Sequence, residues 1–126
     1  EQCIKIGNPK TAMCGYNKVN NIHCSENTWL INDMLRNHLG FDGVVMTDWW
    51  MRKSKSQEFP NMRDQAYRVR SQVDVLMPGG GRTGKWKRPD GTLLRTYGKS
   101  EGITLGEMQR TAMNVIRFAM NSTAMK

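Results

Sequence analysis

An apolar run of three residues, Val44, Val45 and Met46, stands between the turn GFDG (residues 40–43) and the ending TDWW (47–50). β-Branched and apolar residues bounded by glycines read as a fully buried strand, the kind that parallel sheets use. Such a strand cannot stand alone. It needs neighbours to take up its backbone hydrogen bonds and layers to cover its faces.

The rest of the chain offers both in alternation. Residues 1–7 read as the tail of a helix, stopped by Gly7, Asn8 and Pro9. Residues 11–15 read as a short strand ending at Tyr16 and Asn17, and 18–24 as a loop. Ser25 or Asn27 caps the next helix, which runs to Leu39 with Gly40 just past its end. Leu30, Ile31, Met34, Leu35 and Leu39 fall on one face of it. After the central strand, 51–60 is polar and loop-like. Met62, Ala66 and Val69 recur at i, i+4 and i+7, which predicts a helix over 61–72. VDVLM (73–77) reads as a third strand, closed by Pro78 and three glycines. A basic insertion loop spans 79–102. The last helix opens with a capping box, Thr104 to Glu107, and is expected to bury Met108, Ala112, Val115, Ile116 and Ala119. Short strands alternating with amphipathic helices imply an α/β fold of parallel βα units with right-handed crossovers. Three strands are too few to close a barrel and leave two raw edges, so further strands are expected to complete the sheet.

The chain of 126 residues has the length of one domain and 38% hydrophobic content. No apolar run approaches the ~20 residues of a membrane span. The opening EQCIKIGNPK, without an initiator Met, reads as the interior of a longer polypeptide, so localisation signals are not legible. Cys3, Cys14 and Cys24 are odd in number and lack CxxC spacing, and with His23 and His38 they do not make a zinc site. Free, mostly buried thiols favour a reducing, cytoplasmic setting. The net charge of +8 raises nucleic acid as a partner. Its excess concentrates at Arg52, Lys53 and Lys55 and over 82–99, which read as solvated loops rather than a binding patch.

In parallel α/β folds, functional groups gather at the C-terminal ends of strands. Here those ends carry Met13, Tyr16 and Asn17, then Asp48, Trp49 and Trp50, then Met77 and Pro78. A carboxylate beside indole planes suits a sugar site, where acids do the chemistry and flat rings stack on pyranose faces. An Asp after a strand is also often just a turn or N-cap residue. Residues 79–85, GGGRTGK, satisfy most of a phosphate-binding loop. However, Trp86 stands where Ser or Thr should hold Mg²⁺, and a turn follows instead of a helix. The Lys, Arg, Trp86 and Tyr97 of that segment could contact single-stranded nucleic acid, but an insertion over the mouth is the preferred reading.

Taken together, CGYNKVNNIHCSENTWLINDMLRNHLGFDGVVMTDWW (14–50), VDVLMPG (73–79) and GITLGEMQRTAMNVIRFAMNS (102–122) resemble family-three glycoside hydrolases, the β-glucosidase family. In that family a SYN-type strand end, a helix closing in a GFDG-like turn, an SDW or TDW strand end and a D-x-x-MPG strand follow one another. The resemblance implies about three consecutive βα units of a TIM-like (β/α)₈ barrel. It implies Asp48 as the catalytic nucleophile, and Tyr16, Met13 and Trp49 as residues around the nucleophile and the bound sugar. Tyr16 is a plausible donor to the Asp48 carboxylate. Gly15 stands where the family has Ser, and Arg70, Ser71 and Gln72 replace its small Ala-Gly pair. The substrate implied is a terminal β-D-glucoside or oligosaccharide, with no cofactor, metal or membrane. The general acid/base must come from another domain or loop, with Glu58, Asp90 and Glu101 the loop acids of this chain. A non-catalytic binding or assembly module is the alternative, and the 126 residues alone are expected to be inactive.

Overall fold

The computed structural model describes residues 1–51, 54–78 and 92–123. A short helix α1 (Gln2–Lys5) leads to strand β1 (Thr11–Cys14), which pairs in parallel with β4 (Val44–Thr47). The register sets Thr11 against Val44 and Cys14 against Thr47, so both strands end level. Residues 18–24, expected as a loop, instead contain a hairpin of β2 (Lys18–Val19) and β3 (Ile22–His23). Its two turn residues, Asn20 and Asn21, both have positive φ, at 50° and 64°. Asn tolerates that left-handed conformation, and two such residues in succession match the twist of a tight hairpin.

A single 3₁₀ turn (Cys24–Glu26) then feeds a wide helix, Trp29–His38. Of the two expected caps, Asn27 does the work: its carbonyl oxygen accepts the Leu30 N–H at 3.0 Å while its amide donates to Val19 O. The helix steps by five residues at its end, where the Leu39 N–H reaches Met34 O, a π-type widening. Gly40, at φ +73°, then turns the chain back. Gly43 is required for a different reason. A Cβ there would run into the carbonyl of Lys10, to which Val44 N–H donates at 3.0 Å.

Of the expected buried face of this helix, Ile31 is fully buried and Leu30 and Leu35 are partly so. Ile31 packs with Cys14, Cys24, Phe41, Val45 and Val73 in a core beneath the sheet. A second cluster joins Met62, Ala66, Tyr67, Val69 and Ile103, with Phe59, Leu93 and Met108 against it.

Three expectations change. The helix over 61–72 shrinks to α2 (Ala66–Arg70), because Asp64 and Gln65 sit at positive φ and block a helical start before Ala66. The segment 73–77 runs parallel to β4 but pairs only through a bridge at Met46 and Val75. The Asp74 and Val75 N–H groups both donate to Val45 O, which bulges the backbone out of ladder register. The helix α4 (Leu105–Met120) has the expected capping box, yet it buries no residue, and Val115 and Ile116 are exposed. Of the expected face, Met108 packs against the second cluster, and the other inward contacts are polar. Arg110 donates to Val69 O, Asn114 to Asp74, and Glu107 pairs with Arg70.

The C-terminal part of the expected insertion loop is built into the second cluster. Helix α3 (Thr92–Thr96) leads to buried Thr96 and Ile103, and Arg63 N–H donates to Glu101 O. The phosphate-loop-like residues 79–85, Asp90, Arg52 and Lys53 lie outside the described residues.

Candidate active site

The level strand ends place Asp48 one residue beyond Thr47 and Tyr16 two beyond Cys14, side by side at one mouth. Thr47 is buried, and its hydroxyl accepts the Met77 N–H at 2.8 Å. That bond draws the end of the third segment to the same mouth. Asp48 is half-buried, and its Oδ1 accepts the Trp49 N–H at 2.6 Å. Bonding an Asp to the following amide fixes the carboxylate's rotamer, as in the tight turns Asp favours.

The Tyr16 hydroxyl, expected to hold the Asp48 carboxylate, donates instead to the carbonyl of Trp49. It therefore pins the backbone immediately after the acid. Trp50 follows at φ +53°. A bulky side chain in that region is strained, and such strain persists where surrounding contacts over-determine it. The two indoles meet edge to face, with centroids 5.2 Å apart and planes at 71°. Both are exposed, as are Tyr16 and Met13, and Met13 pairs with Met46 on the neighbouring strand.

Beside these groups opens a cavity of about 270 Å³, lined by Tyr16, His23, Trp50, Met51, Ser54 and Arg68. The hairpin brings in His23, whose Nδ1 lies 3.3 Å from Tyr16 O. Ser54 donates to Glu26 Oε1 at 2.8 Å, and Glu26 is itself buried, with its Oε2 lacking a hydrogen-bond partner among the described residues. Arg68 is 2% exposed, with its guanidinium 5.5 Å from the centre of the Tyr67 ring and bonded to Gln65. Aromatic faces with hydroxyl, imidazole and guanidinium groups suit a hydroxylated ring.

His23, Ser54 and Arg68 escape a reading of the sequence. The paired Asn20 and Asn21 between Val19 and Ile22 did carry a hairpin signal that would have found His23. Nothing local marks Arg68, which sits next to the apolar stripe of its own helix. Of the acids considered for proton transfer, Glu58 accepts the Thr28 N–H at 3.2 Å, and Glu101 accepts the Ser100 hydroxyl. Among the described residues no cluster of His, Cys, Asp or Glu could hold a metal ion, and no helix is long and apolar enough to cross a membrane.

Residues 3–88 match the glycosyl hydrolase family 3 N terminal domain. The chain belongs to this family. A β-glucosidase 2 from Saccharomycopsis fibuligera is 32% identical over 116 residues, covering 89% of this chain and 12% of that protein. An exo-α-(1→6)-L-arabinopyranosidase from Bifidobacterium longum is 49% identical over 49 residues, 39% of this chain and 6% of that protein. The solved structure of a β-glucosidase from Paenibacillus barengoltzii superposes with a TM-score of 0.70 at 32% identity, covering 98% of this chain and 13% of that one. The chain thus spans only a small part of the length of its relatives. The family 3 N-terminal domain is TIM-barrel-like in such neighbours, and this chain is α/β with few parallel strands.

Proposed function

We propose that this family 3 chain is the nucleophile-bearing part, about three βα units, of the barrel of a retaining exo-acting β-glycosidase. Its substrate is a terminal, non-reducing β-D-glucosyl residue. The observation that carries the reading is Asp48, half-buried at the end of β4 and level with Tyr16, in a chain of this family.

In the reaction, an Asp48 carboxylate oxygen attacks the anomeric carbon and the glycosidic C–O bond breaks. A second carboxyl group, about 5–5.5 Å away in retaining enzymes, protonates the departing oxygen. The same group then takes a proton from water, whose oxygen attacks the anomeric carbon and frees Asp48. That second group belongs to another part of the protein. Trp49 covers an apolar face of the sugar, Met13 borders the ring, and Tyr16 keeps the turn carrying Asp48 from swinging away.

The test is inactivation of the complete protein by a 2-deoxy-2-fluoro-β-glucoside, followed by mass spectrometry of the peptide containing Asp48. One adduct per molecule, on Asp48, is expected. Labelling at another carboxylate would sink the assignment. An α-L-arabinopyranoside is the second substrate to assay, because the similarity to the Bifidobacterium longum relative is high over the 49 matched residues.

A further inference from the structure

The carboxylate of Asp74 is completely buried and lies alongside β4 rather than at the mouth. Its Oδ2 accepts the Val45 N–H at 2.9 Å and an Arg36 N–H at 2.7 Å, and its Oδ1 accepts the Asn114 amide at 2.9 Å. The Val45 carbonyl is held by the same stretch of chain, accepting the Asp74 N–H at 2.8 Å and the Val75 N–H at 3.1 Å. A side chain thus occupies a place that a strand carbonyl would fill in a regular ladder. Arg36 also bonds Gly43 O and Gln72 O, tying the start of β4 to the same junction.

We propose that Asp74 is a positioning residue. By holding both the N–H and the C=O of Val45, it sets where β4 delivers Asp48, three residues further along the chain. The proposal rests on Asp48 being the nucleophile. The logic is geometric. Only one bridge pairs 73–77 with β4, so the side-chain bond substitutes for missing ladder bonds. A slipped strand also presents alternate residues to opposite faces.

Three variants of the complete protein separate positioning from simple stability. Asp74→Asn is nearly isosteric, and its amide oxygen can still take the Val45 N–H. Asp74→Glu keeps the charge but carries its oxygens about one methylene too far. Asp74→Ala removes the acceptor. Each is treated with a saturating fluoroglucoside, and two quantities are read: the fraction labelled and the rate constant of labelling. The fraction reports folded molecules, whereas the rate reports the geometry of attack, so a partly unfolded variant still answers. Asp74→Asn is expected within about 3-fold of the wild-type rate. Asp74→Glu and Asp74→Ala are expected to be slowed on the order of 100-fold, the cost of an ångström-scale displacement. Labelling of Ala and Glu at the wild-type rate, with only the fraction reduced, overturns the positioning role and leaves Asp48 as nucleophile. Slowing of Asn to the level of Ala overturns it as well. A wild-type protein unlabelled at Asp48 overturns both readings.

Discussion

At the scale of single residues, Asp48 and Tyr16 are distinguished by what each can lose. Replacing Asp48 by Asn keeps an acceptor for the Trp49 N–H but removes the charge on which its proposed role as nucleophile depends. Turnover of the complete protein is expected to fall by at least ~10³-fold with its circular dichroism and melting unchanged. Tyr16→Phe removes one bond to the Trp49 carbonyl at an exposed site. A net hydrogen bond is worth about 0.5–1.5 kcal/mol, so kcat/KM is expected to drop roughly 2- to 10-fold. The cysteines differ as sharply. Burial, and then the nearby Cys24, push the Cys14 thiol up to about 12, whereas Cys3 is exposed. A thiol reagent at pH 8 should therefore modify Cys3 and spare Cys14 until denaturant is added, as peptide mapping would show.

At the scale of elements, α4 is held by its first turn. The Thr104 hydroxyl accepts the Glu107 N–H while the Glu107 carboxylate accepts the Thr104 N–H, and Arg70 grips the same carboxylate. Thr104→Ala is expected to cost about 1 kcal/mol, read as a lowered melting midpoint. Burial pushes the Glu107 carboxyl up, but the bonds from Arg70 and Thr104 outweigh it and hold the group below its usual 4.5. A depressed carboxylate adds stability above the unfolded-state value and loses it as pH falls through the folded-state value. The melting difference between wild type and Glu107→Gln should accordingly be largest near neutrality and shrink below about pH 4.5, a window set by the direction of that shift. The whole of this element boundary was legible beforehand, because a capping box is a local chemical pattern of four residues. The packing face of α4 was legible only at Met108, which lies against the second cluster. Hydrophobic periodicity marks an apolar stripe, and Val115 and Ile116 belong to one, but Asn114 and Arg110 meet their partners 40 and 41 residues away.

At the scale of the whole molecule, much apolar surface is left uncovered. Leu105, Met113, Ile116, Phe118 and Met120 of α4 are all exposed. Leu105, Met113, Ile116 and Met120 recur at helical spacing on one side, and exposed apolar surface of this kind drives association. The isolated 126 residues are expected to sediment above the monomer mass at micromolar concentration, and the double variant Met113→Lys, Ile116→Lys to shift toward monomer. With a parallel sheet of two strands plus a bridge among the described residues, and on the proposal that the acid/base lies elsewhere in the protein, they are also expected to show no turnover of aryl β-glucosides.

What the sequence determined by itself was local. The strands at Val44–Thr47 and Thr11–Cys14, the cap at Thr104 and the acid at the strand end each rest on neighbours within a few residues. The tertiary structure alone decided the rest. It shortened α2 at Gln65, reduced 73–77 to one bridge, gave α4 a largely polar interface beside Met108 and sent the Tyr16 hydroxyl to a backbone carbonyl instead of Asp48. The bridge at 73–77 and the contacts of α4 depend on polar groups finding partners far along the chain, and a buried donor or acceptor is costly enough to override periodicity wherever the two conflict.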